Sequence, residues 1–208
     1  MYQPPLHRED RLEVKQDLIE SHPFGMLISV GPEGPIANTI PFILQRSMGP
    51  YGTLQVHMAR ANTQWQSLDG QKALVVFQGP QNYISPSYYQ TKRETGKVVP
   101  TWNYAMVQAR GIAKVHTETD WLRKQIEALT SWHENGRTTP WAVSDAPASF
   151  IESQLKGIVG VEIEIESLDG KWKVSQNRPE ADRKGVVEGL ATENPEMSAL
   201  VRKYANIG

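Results

Sequence analysis

The sequence predicts a mainly β protein in which antiparallel strands form a small barrel and helices flank it. Six or seven segments alternate with period two or are continuously apolar, and most of them follow one another across short turns. In the segment 51–58, for example, Leu54, Val56 and Met58 alternate with polar residues. Helices rarely separate one strand from the next, so the βαβ rhythm of a parallel, doubly wound sheet is missing.

The first half of the chain contains two predicted helices and four predicted strands. Apolar residues at helical spacing indicate the first helix, which Pro23 with Gly25 ends, and Asn62 caps a second, short helix. The strands are expected at 26–30, 36–44, 51–58 and 72–77. The prolines and glycines of 31–35 predict a hairpin turn between the first two strands. Pro41 lacks a backbone donor, which marks an edge strand, a bulge or a site.

The second half contains the longest predicted strand and most of the predicted helices. The elements, in order, are a loop over 78–96, a strand over 97–115, a helix capped by Thr117 or Thr119, a helix from an Asp145 cap to Gly157, a hairpin over 158–177 and a helix capped by Asn194. The turn Leu-Asp-Gly of the hairpin would place Lys171 and Lys173 opposite the glutamates of its first strand.

The composition is that of an ordinary globular protein, and it excludes several function classes. The 208 residues predict a single domain, 1–208, with a C-terminal helical extension at about 178–208. A net charge of −1 gives no electrostatic reason to expect nucleic acid or a membrane surface. The absence of cysteine excludes disulfides, zinc–thiolate sites and thiol catalysis. No secretory leader or apolar span is evident, so a cytoplasmic location is expected.

Familiar catalytic motifs are missing. The five histidines are scattered and make no metal-binding pair, so no metal is expected. There is no GxSxG motif and no glycine-rich phosphate loop, because the prolines of 31–35 forbid an amide nest. His57 is the histidine of most interest, since it shares a strand face with Thr53 and Gln55; the alternative is a surface histidine on a half-exposed strand.

The segment 57–65, His-Met-Ala-Arg-Ala-Asn-Thr-Gln-Trp, combines the end of a strand, an arginine and the start of a helix. Arg60 offers a planar fork for a phosphate, and a helix capped by Asn62 offers free amides. This combination suits a phosphomonoester. A solvated arginine beside an ordinary cap explains the same residues, and this alternative remains open.

Trp102, Asn103 and Tyr104 follow one another inside the predicted long strand. Two large amphipathic rings around an amide are typical either of core packing or of a face that meets something flat and polar. Because successive strand residues point to opposite faces, the two rings share one face and the amide lies on the other. The sequence leaves open which of the two faces a site.

Several blocks together resemble the FMN-binding negative transcriptional regulator family, the PaiB-like proteins. The blocks are MYQPPLHRED, HPFGMLIS, NTIPFIL, HMARANTQW, FQGPQNYISPSYY, VVPTWNYAMVQARG, IVGVEIEIE and KWKVSQNR. Their order and spacing cover nearly the whole chain. The resemblance implies a six-stranded antiparallel split β-barrel of the FMN-binding type with flanking helices, related to pyridoxamine-phosphate oxidases. It also implies a homodimer with FMN at the subunit interface.

The resemblance and the chemistry of the residues together suggest where FMN would bind. The phosphate is assigned to His57, Arg60 and Asn62, and the edge of the isoalloxazine ring to the strand around Thr39 and Pro41. Trp102 and Tyr104 would cover the ring while Asn103 bonds a polar edge. The candidate residues are Thr39, Ile40, Pro41, His57, Arg60, Ala61, Asn62, Trp102, Asn103, Tyr104, Ser175 and Gln176.

Three functions are consistent with this resemblance. The first is a flavin-binding regulator or sensor; DNA is a partner that the family implies but the charge does not support. The second is a flavin-dependent oxidoreductase acting on a small molecule, in which the flavin carries the chemistry and no side chain need act as acid or base. The third is haem binding with His57 or His116 as the axial ligand. No catalytic residue is identified, and the sequence leaves open whether the protein is an enzyme.

Overall fold

The computed structural model describes residues 1–206, and in this part of the chain eight strands and six α-helices form. The strands are β1 (Arg8–Glu9), β2 (Phe24–Gly31), β3 (Gly34–Pro41), β4 (Ile43–Gln45), β5 (Thr53–Ala59), β6 (Lys72–Ile84), β7 (Thr101–His116) and β8 (Ile158–Lys173). The helices are α1 (Leu12–Ser21), α2 (Gln90–Thr95), α3 (Thr119–Glu134), α4 (Ala148–Leu155), α5 (Glu180–Leu190) and α6 (Pro195–Ala205). No helix within residues 1–206 has the length and apolar character needed to cross a membrane.

The strands join in one sheet in the order β3-β2-β6-β7-β8-β5-β4, with β1 paired to β8. The pairs β1–β8, β2–β3, β2–β6, β4–β5 and β5–β8 are antiparallel. The predicted antiparallel fold with flanking helices is thereby confirmed. The sheet contains eight strands in the described residues, where six were expected. It is not closed into a barrel, since the pairing of these residues leaves β3 and β4 as its ends.

One of the additional strands arises from a break in the predicted strand 36–44. Pro41 ends β3, and the Phe42 amide donates to the Pro23 carbonyl at 2.9 Å instead of to a neighbouring strand. Pro41 has no amide hydrogen to continue the ladder, so the chain turns away and resumes as β4. Of the edge strand, bulge or site that Pro41 was expected to mark, the structure shows the edge strand, because β3 lies at one end of the sheet.

The chain divides into two compact units. The first, called here the terminal unit, contains residues 1–15, 78–107 and the described residues from 169 onward. The second, the central unit, contains residues 16–77 and 108–168. The long strands β6, β7 and β8 contribute residues to both units. The single domain over 1–208 stays a prediction.

The core of the central unit follows from the alternation of β5 and the apolar faces of two helices. Leu54, Val56 and Met58 are buried, as their spacing predicts. Thr53, expected on the other face, is also buried, and its hydroxyl donates to the Met48 carbonyl at 2.9 Å. A second apolar cluster joins α3 to α4 and contains Leu122, Val143, Ile151 and Leu155.

The hairpin predicted over 158–177 is wrong, because β8 runs without interruption to Lys173. Gly170 does not take a positive φ, as a turn would require. A Cβ on it would lie 2.8 Å from the Lys15 side chain and 2.9 Å from the Trp172 ring, so glycine is needed here for close packing. Lys171 therefore lies on the same strand as the glutamates that it was expected to face.

Three smaller expectations are also corrected. The loop predicted over 78–96 contains the end of β6, a 3-10 turn and α2. The residue before α3 is Glu118, which makes no side-chain cap, so neither Thr117 nor Thr119 has the predicted role. The helix expected to begin at Asp145 begins at Ala148, and the Asp145 carboxylate accepts from the Ala142 amide in the preceding 3-10 turn.

The predicted start of the last helix is confirmed. The Asn194 side chain accepts a hydrogen bond from the Met197 amide at 3.0 Å, and Pro195 occupies the first turn of α6. Met197 and Val201 are buried on the apolar face of the helix. A cap followed by proline at the first position is a local signal, which explains why the sequence alone was sufficient.

Candidate functional site

The segment 57–62 begins within the last three residues of β5, in the central unit. His57 is half-buried, and its Nδ1 lies 2.7 Å from the Oε1 of Gln125 on α3. This hydrogen bond fixes the orientation of the imidazole ring. Within residues 1–206 no hydrogen-bond partner is found for the other ring nitrogen, Nε2. The ring is thus held by one nitrogen and has the second available for a ligand.

Arg60 is exposed but firmly held. Its Nε donates to the Lys156 carbonyl at 2.9 Å, and one Nη nitrogen donates to the Ile158 carbonyl at 3.0 Å. Its backbone amide donates to the Gly157 carbonyl at 2.8 Å. A guanidinium has five N–H donors, so these bonds leave several of them directed to solvent. The side chain closes the end of α4 and still presents a fixed cationic edge.

Asn62 has the predicted capping role. Its Oδ1 accepts from the Gln64 amide at 3.1 Å and begins the 3-10 turn Thr63–Ser67. The turn is only five residues long, so it has no substantial helix dipole. Any anion at this point would be bound mainly by Arg60. Ala61, between the two, is exposed and contributes backbone only.

Gln64 is the polar residue of this region that sequence reasoning missed. It is 1% exposed, and its amide nitrogen donates to Ser29 Oγ at 3.0 Å, with longer contacts to the carbonyls of Leu27 and Ile36. Its Oε1 accepts from Asn38 Nδ2 at 2.9 Å. One buried side chain therefore joins β2, β3 and the turn after β5. Nothing in the sequence distinguishes it from Gln66, which is exposed in the same turn.

The strand β3 supplies the second part of the predicted site. Thr39 is exposed, while Ile40 and Pro41 are partly exposed, at the edge of the sheet. An edge strand has backbone donors and acceptors that no neighbouring strand occupies. Since Asn38 is bonded to Gln64, the central unit connects Thr39–Pro41 directly to the turn that follows segment 57–62.

In β7, the side chains of Trp102 and Tyr104 lie on the accessible face and that of Asn103 on the buried face. Asn103 is 1% exposed and Trp102 is 53% exposed, while Tyr104 is partly exposed on the same side as Trp102. The Trp102 ring meets the edge of the Tyr83 ring, with 6.1 Å between centroids. The two rings of the predicted trio thus form an accessible aromatic face in the terminal unit, and Asn103 points inward.

Asn103 and Ser175 are brought together inside the terminal unit. Asn103 Nδ2 donates to Ser175 Oγ at 2.8 Å. Ser175 has a φ of 65°, a conformation that non-glycine residues rarely adopt. Within the described residues, the buried Oδ1 of Asn103 has no hydrogen-bond partner. The pair combines a strained backbone position with an unsatisfied acceptor, a combination that often accompanies function.

Gln176 has a structural role in the turn after β8. Its Oε1 accepts from the Val174 amide at 2.8 Å, its Nε2 donates to the Trp172 carbonyl at 2.6 Å, and its Oε1 lies 3.2 Å from Nδ1 of His7. The side-chain amide is largely occupied by the protein itself. Its assignment to a cofactor stays a prediction.

The predicted site residues fall into two groups. Those from β3 and from segment 57–62 belong to the central unit, and Trp102–Tyr104 with Ser175 and Gln176 belong to the terminal unit. Each group is coherent in its own unit. The assignment of both groups to one FMN molecule stays a prediction.

His116, one candidate for a haem ligand, is enclosed. It is 7% exposed and its ring is stacked on the Trp121 ring at 4.1 Å between centroids. Its two nitrogens lie 3.7 Å from Glu118 and 3.8 Å from Glu162. A ring covered on one face and flanked by carboxylates is poorly placed for axial ligation, which weakens this alternative.

Comparison with known proteins identifies the family. Residues 1–167 match the family model described as "Putative FMN-binding domain". The protease synthase and sporulation protein PAI 2 of Bacillus subtilis is 33% identical, with 94% of this chain and 92% of that protein covered. A protein of Emericella nidulans is 37% identical, with 91% and 90% covered. The chain belongs to the FMN-binding domain family, and the PaiB-like resemblance and the FMN cofactor expected from it are confirmed.

Solved structures support the fold. The FAD and haem binding protein of Mycobacterium smegmatis has a TM-score of 0.60 at 19% identity, with 80% of this chain and 73% of that one covered. The flavocytochrome Anf3 of Azotobacter vinelandii has a TM-score of 0.57 at 13% identity, with 80% and 69% covered. At these identities the likeness concerns architecture, and it places this chain among the split-barrel folds.

Proposed function

We propose that the central unit holds FMN through segment 57–62 and the edge of β3, and that the protein acts as a flavin-responsive regulator. The observation that carries this proposal is the hydrogen bond from Asn38 to the buried Gln64, which fixes the β3 edge relative to the segment after β5. Family membership supplies the identity of the ligand.

The residues of the central unit fit the chemistry of FMN. The solvent-directed N–H groups of Arg60 suit a phosphate, and His57, three residues earlier in the chain, offers Nε2 as a further polar group. The backbone groups of the β3 edge, next to the exposed Thr39 hydroxyl, suit the polar rim of an isoalloxazine. Bound FMN would supply one- or two-electron redox chemistry, while these side chains bind and orient it.

The regulatory part of the proposal rests on the relative named PAI 2, whose name refers to protease synthesis and sporulation. A net charge of −1 argues against a surface that binds DNA phosphates on its own. We therefore place the regulatory effect in a flavin-dependent protein surface, with any contact to DNA made through a partner.

A second copy of this chain is the partner proposed for β2. Its outer face carries Phe24, Met26 and Val30, which are 65%, 43% and 72% exposed. Opposite them on β3 lie Pro41, Thr39 and Pro35, none of which is charged. An exposed apolar stretch of two paired strands is suited to pairing with its own copy in a two-fold dimer. Sedimentation equilibrium of wild type and Val30→Lys tests this: a monomeric wild type would contradict it.

The FMN proposal is tested by flavin titration. Absorbance and mass spectrometry of the purified protein identify the bound molecule, and Arg60→Ala is expected to weaken FMN binding by about 1–3 kcal/mol, equivalent to about 5- to 150-fold. Arg137→Ala is the matched control, because Arg137 is an exposed arginine of the same unit paired with Glu134. Since Arg60 also holds two carbonyls, Arg60→Lys and thermal unfolding separate binding from folding.

The same sample discriminates the other functions. Unchanged FMN affinity in Arg60→Ala would reject the assignment of the phosphate. A Soret band in place of flavin absorbance would favour haem. Rapid bleaching of the flavin by NAD(P)H would favour an oxidoreductase over a regulator.

A further inference from the structure

Two lysines of β8 lie on the accessible aromatic side of the terminal unit. Lys171 is 9% exposed, and its Nζ lies 5.3 Å from the centroid of the Tyr2 ring and 5.3 Å from that of the Tyr104 ring. Both distances are within the range of cation–π attraction. The ammonium group is thus held between two rings.

Lys173 is two residues further along the same strand. Its Nζ donates to the Thr101 hydroxyl and, at 2.8 Å, to the Trp102 carbonyl. An ammonium group has three donors, so one N–H remains after these bonds. Backbone and hydroxyl partners fix the position of the charge without neutralising it.

No carboxylate neutralises either lysine. Within residues 1–206, no ion pair within 4.0 Å is formed by Lys171 or Lys173. Positive groups lie nearby instead: burial, followed by Lys171 and Arg178, lowers the pKa of Lys173. Burial also lowers the pKa of His7, with Lys173 and Lys171 adding to the effect and the Gln176 hydrogen bond opposing it.

A half-buried group of like charges is unfavourable unless something compensates it. Proteins normally pair such charges with carboxylates, as this chain does at Glu9 and Arg11. The contacts of the two ammonium groups within residues 1–206 are with ring faces and neutral oxygens. An anionic ligand is the compensation that the geometry lacks.

The surroundings also indicate the shape of the ligand. Trp102 is 53% exposed and Tyr2 is 82% exposed. The Tyr2 and Tyr104 rings contact the Lys171 ammonium group, and Trp102 contacts Lys173 through its carbonyl. Flat walls with a positive centre fit a planar ring that carries a negative group.

We propose that the face formed by Lys171, Lys173, Trp102 and Tyr104 binds a small planar organic anion, an aromatic carboxylate or aromatic phosphate, in addition to FMN. The site goes beyond the proposed function. It lies wholly in the terminal unit and uses no residue of segment 57–62 or of the β3 edge, to which the proposed function assigns FMN. Trp102 and Tyr104 are also candidate FMN residues, so competition with FMN is part of the test.

Calorimetric titration of the FMN-saturated protein at pH 7 tests the proposal. The probes are benzoate and phenyl phosphate, with benzamide as the uncharged analogue and inorganic phosphate as the anion without a ring. Benzoate or phenyl phosphate is expected to bind, and Lys173→Met to raise its Kd at least tenfold. Lys97→Met, an exposed lysine of the same unit, is expected to leave the Kd unchanged. Lys173→Arg is expected to restore part of the affinity.

Four results would overturn the proposal. They are no binding of either aromatic anion, equal binding of benzamide, an equal loss in Lys97→Met, and displacement of the aromatic anion by FMN with a matching loss of FMN affinity in Lys173→Met. The last would assign the lysines to the cofactor. Repeating the titration on flavin-free protein separates the two proposals: anion binding that persists while FMN affinity proves insensitive to Arg60→Ala would refute only the FMN assignment. Lys171→Met provides an independent variant should Lys173→Met fail to fold.

Discussion

Selected cationic side chains of the two units have opposite surroundings. In the central unit, Arg46 donates to Glu20 and, at 2.7 Å, to Asp17, while Arg60 bonds two backbone carbonyls. In the terminal unit, Lys171 and Lys173 have no carboxylate partner among the described residues. We interpret the difference as one of use: a charge that stabilises the fold is paired inside it, whereas an unpaired, half-buried charge is suited to a ligand.

The terminal unit is able to pair charges where the fold requires it. Buried Glu9 accepts from Arg11 Nε at 2.8 Å and from the Tyr204 hydroxyl, which connects the start of the chain to α6. The terminal unit thus forms ion pairs elsewhere, although the lysines of β8 form none in the described part of the chain. Their isolation is a local property of one face.

The largest effect is expected in the central unit, from Gln64→Ala. The change leaves Asn38 and Ser29 without their buried partner, and we expect it to lower the free energy of unfolding by about 2–3 kcal/mol. FMN affinity is expected to fall as well. Gln66→Ala, in the same turn but exposed, is the control and is expected to change stability by less than about 0.5 kcal/mol. Equal urea midpoints for the two variants would show that the buried network is unimportant.

A smaller, pH-dependent effect is expected at the paired charge of the terminal unit. Arg11, Tyr204 and the Arg11 amide outweigh the effect of burial and hold the pKa of Glu9 at about 2, below the ordinary 4.5. A depressed carboxylate pKa stabilises the fold above pH 4.5, and this stabilisation is lost as the pH falls toward 2.

Glu9→Gln is therefore expected to lower stability by about 2 kcal/mol at pH 7, and the difference from wild type is expected to shrink in acid. Denaturant titrations at neutral and acidic pH measure it. Glu13→Gln, an exposed carboxylate of α1, serves as control. A difference that stays constant with pH would mean that the glutamate charge is not what stabilises this contact.

The smallest effects are expected when the ion-paired Arg46 and the unpaired Lys173 are each replaced by methionine. Arg46→Met is expected to lower the free energy of unfolding by about 0.5–1 kcal/mol, because it breaks an exposed ion-pair network. Lys173→Met is expected to leave stability unchanged or raise it slightly, because it removes an uncompensated charge.

The pH dependence sharpens this comparison. The folded-state pKa of Lys173 lies below the ordinary 10.5, so its charge destabilises the fold at neutral pH. The free energy of unfolding of wild type is therefore expected to rise relative to that of Lys173→Met as the pH increases through the folded pKa toward 10.5. Thermal unfolding at several pH values checks the sign. If Lys173→Met proved as destabilising as Arg46→Met, the lysine would have to be regarded as structural.

Local patterns were sufficient where the relevant contacts are local. The alternation of β5, the Asn62 and Asn194 caps, and the opposite directions of Trp102 and Asn103 all follow from geometry within a few residues. The hairpin predicted around Gly170 is wrong because glycine occurs both in turns and at positions of close packing within a strand. Only the neighbouring side chains show that close packing applies here.

Gln64 and Lys173 mark the limit of the sequence for the candidate sites. A buried glutamine has the same local signature as an exposed one, since burial depends on strands 26 or more residues away. The missing counter-charge of Lys173 depends equally on which distant residues fail to approach it. Neither property is encoded in a short segment.

The sequence by itself determined the family, the FMN ligand and the antiparallel class of the fold, because repeated alternation and a specific order of blocks are properties of the chain as written. Only the tertiary structure decided that β8 passes through Gly170 without turning, that Gln64 connects β3 to the turn after β5, and that the β8 lysines are left among aromatic rings without carboxylates. The physical reason is that packing, buried hydrogen bonds and charge compensation are made between residues far apart in the chain.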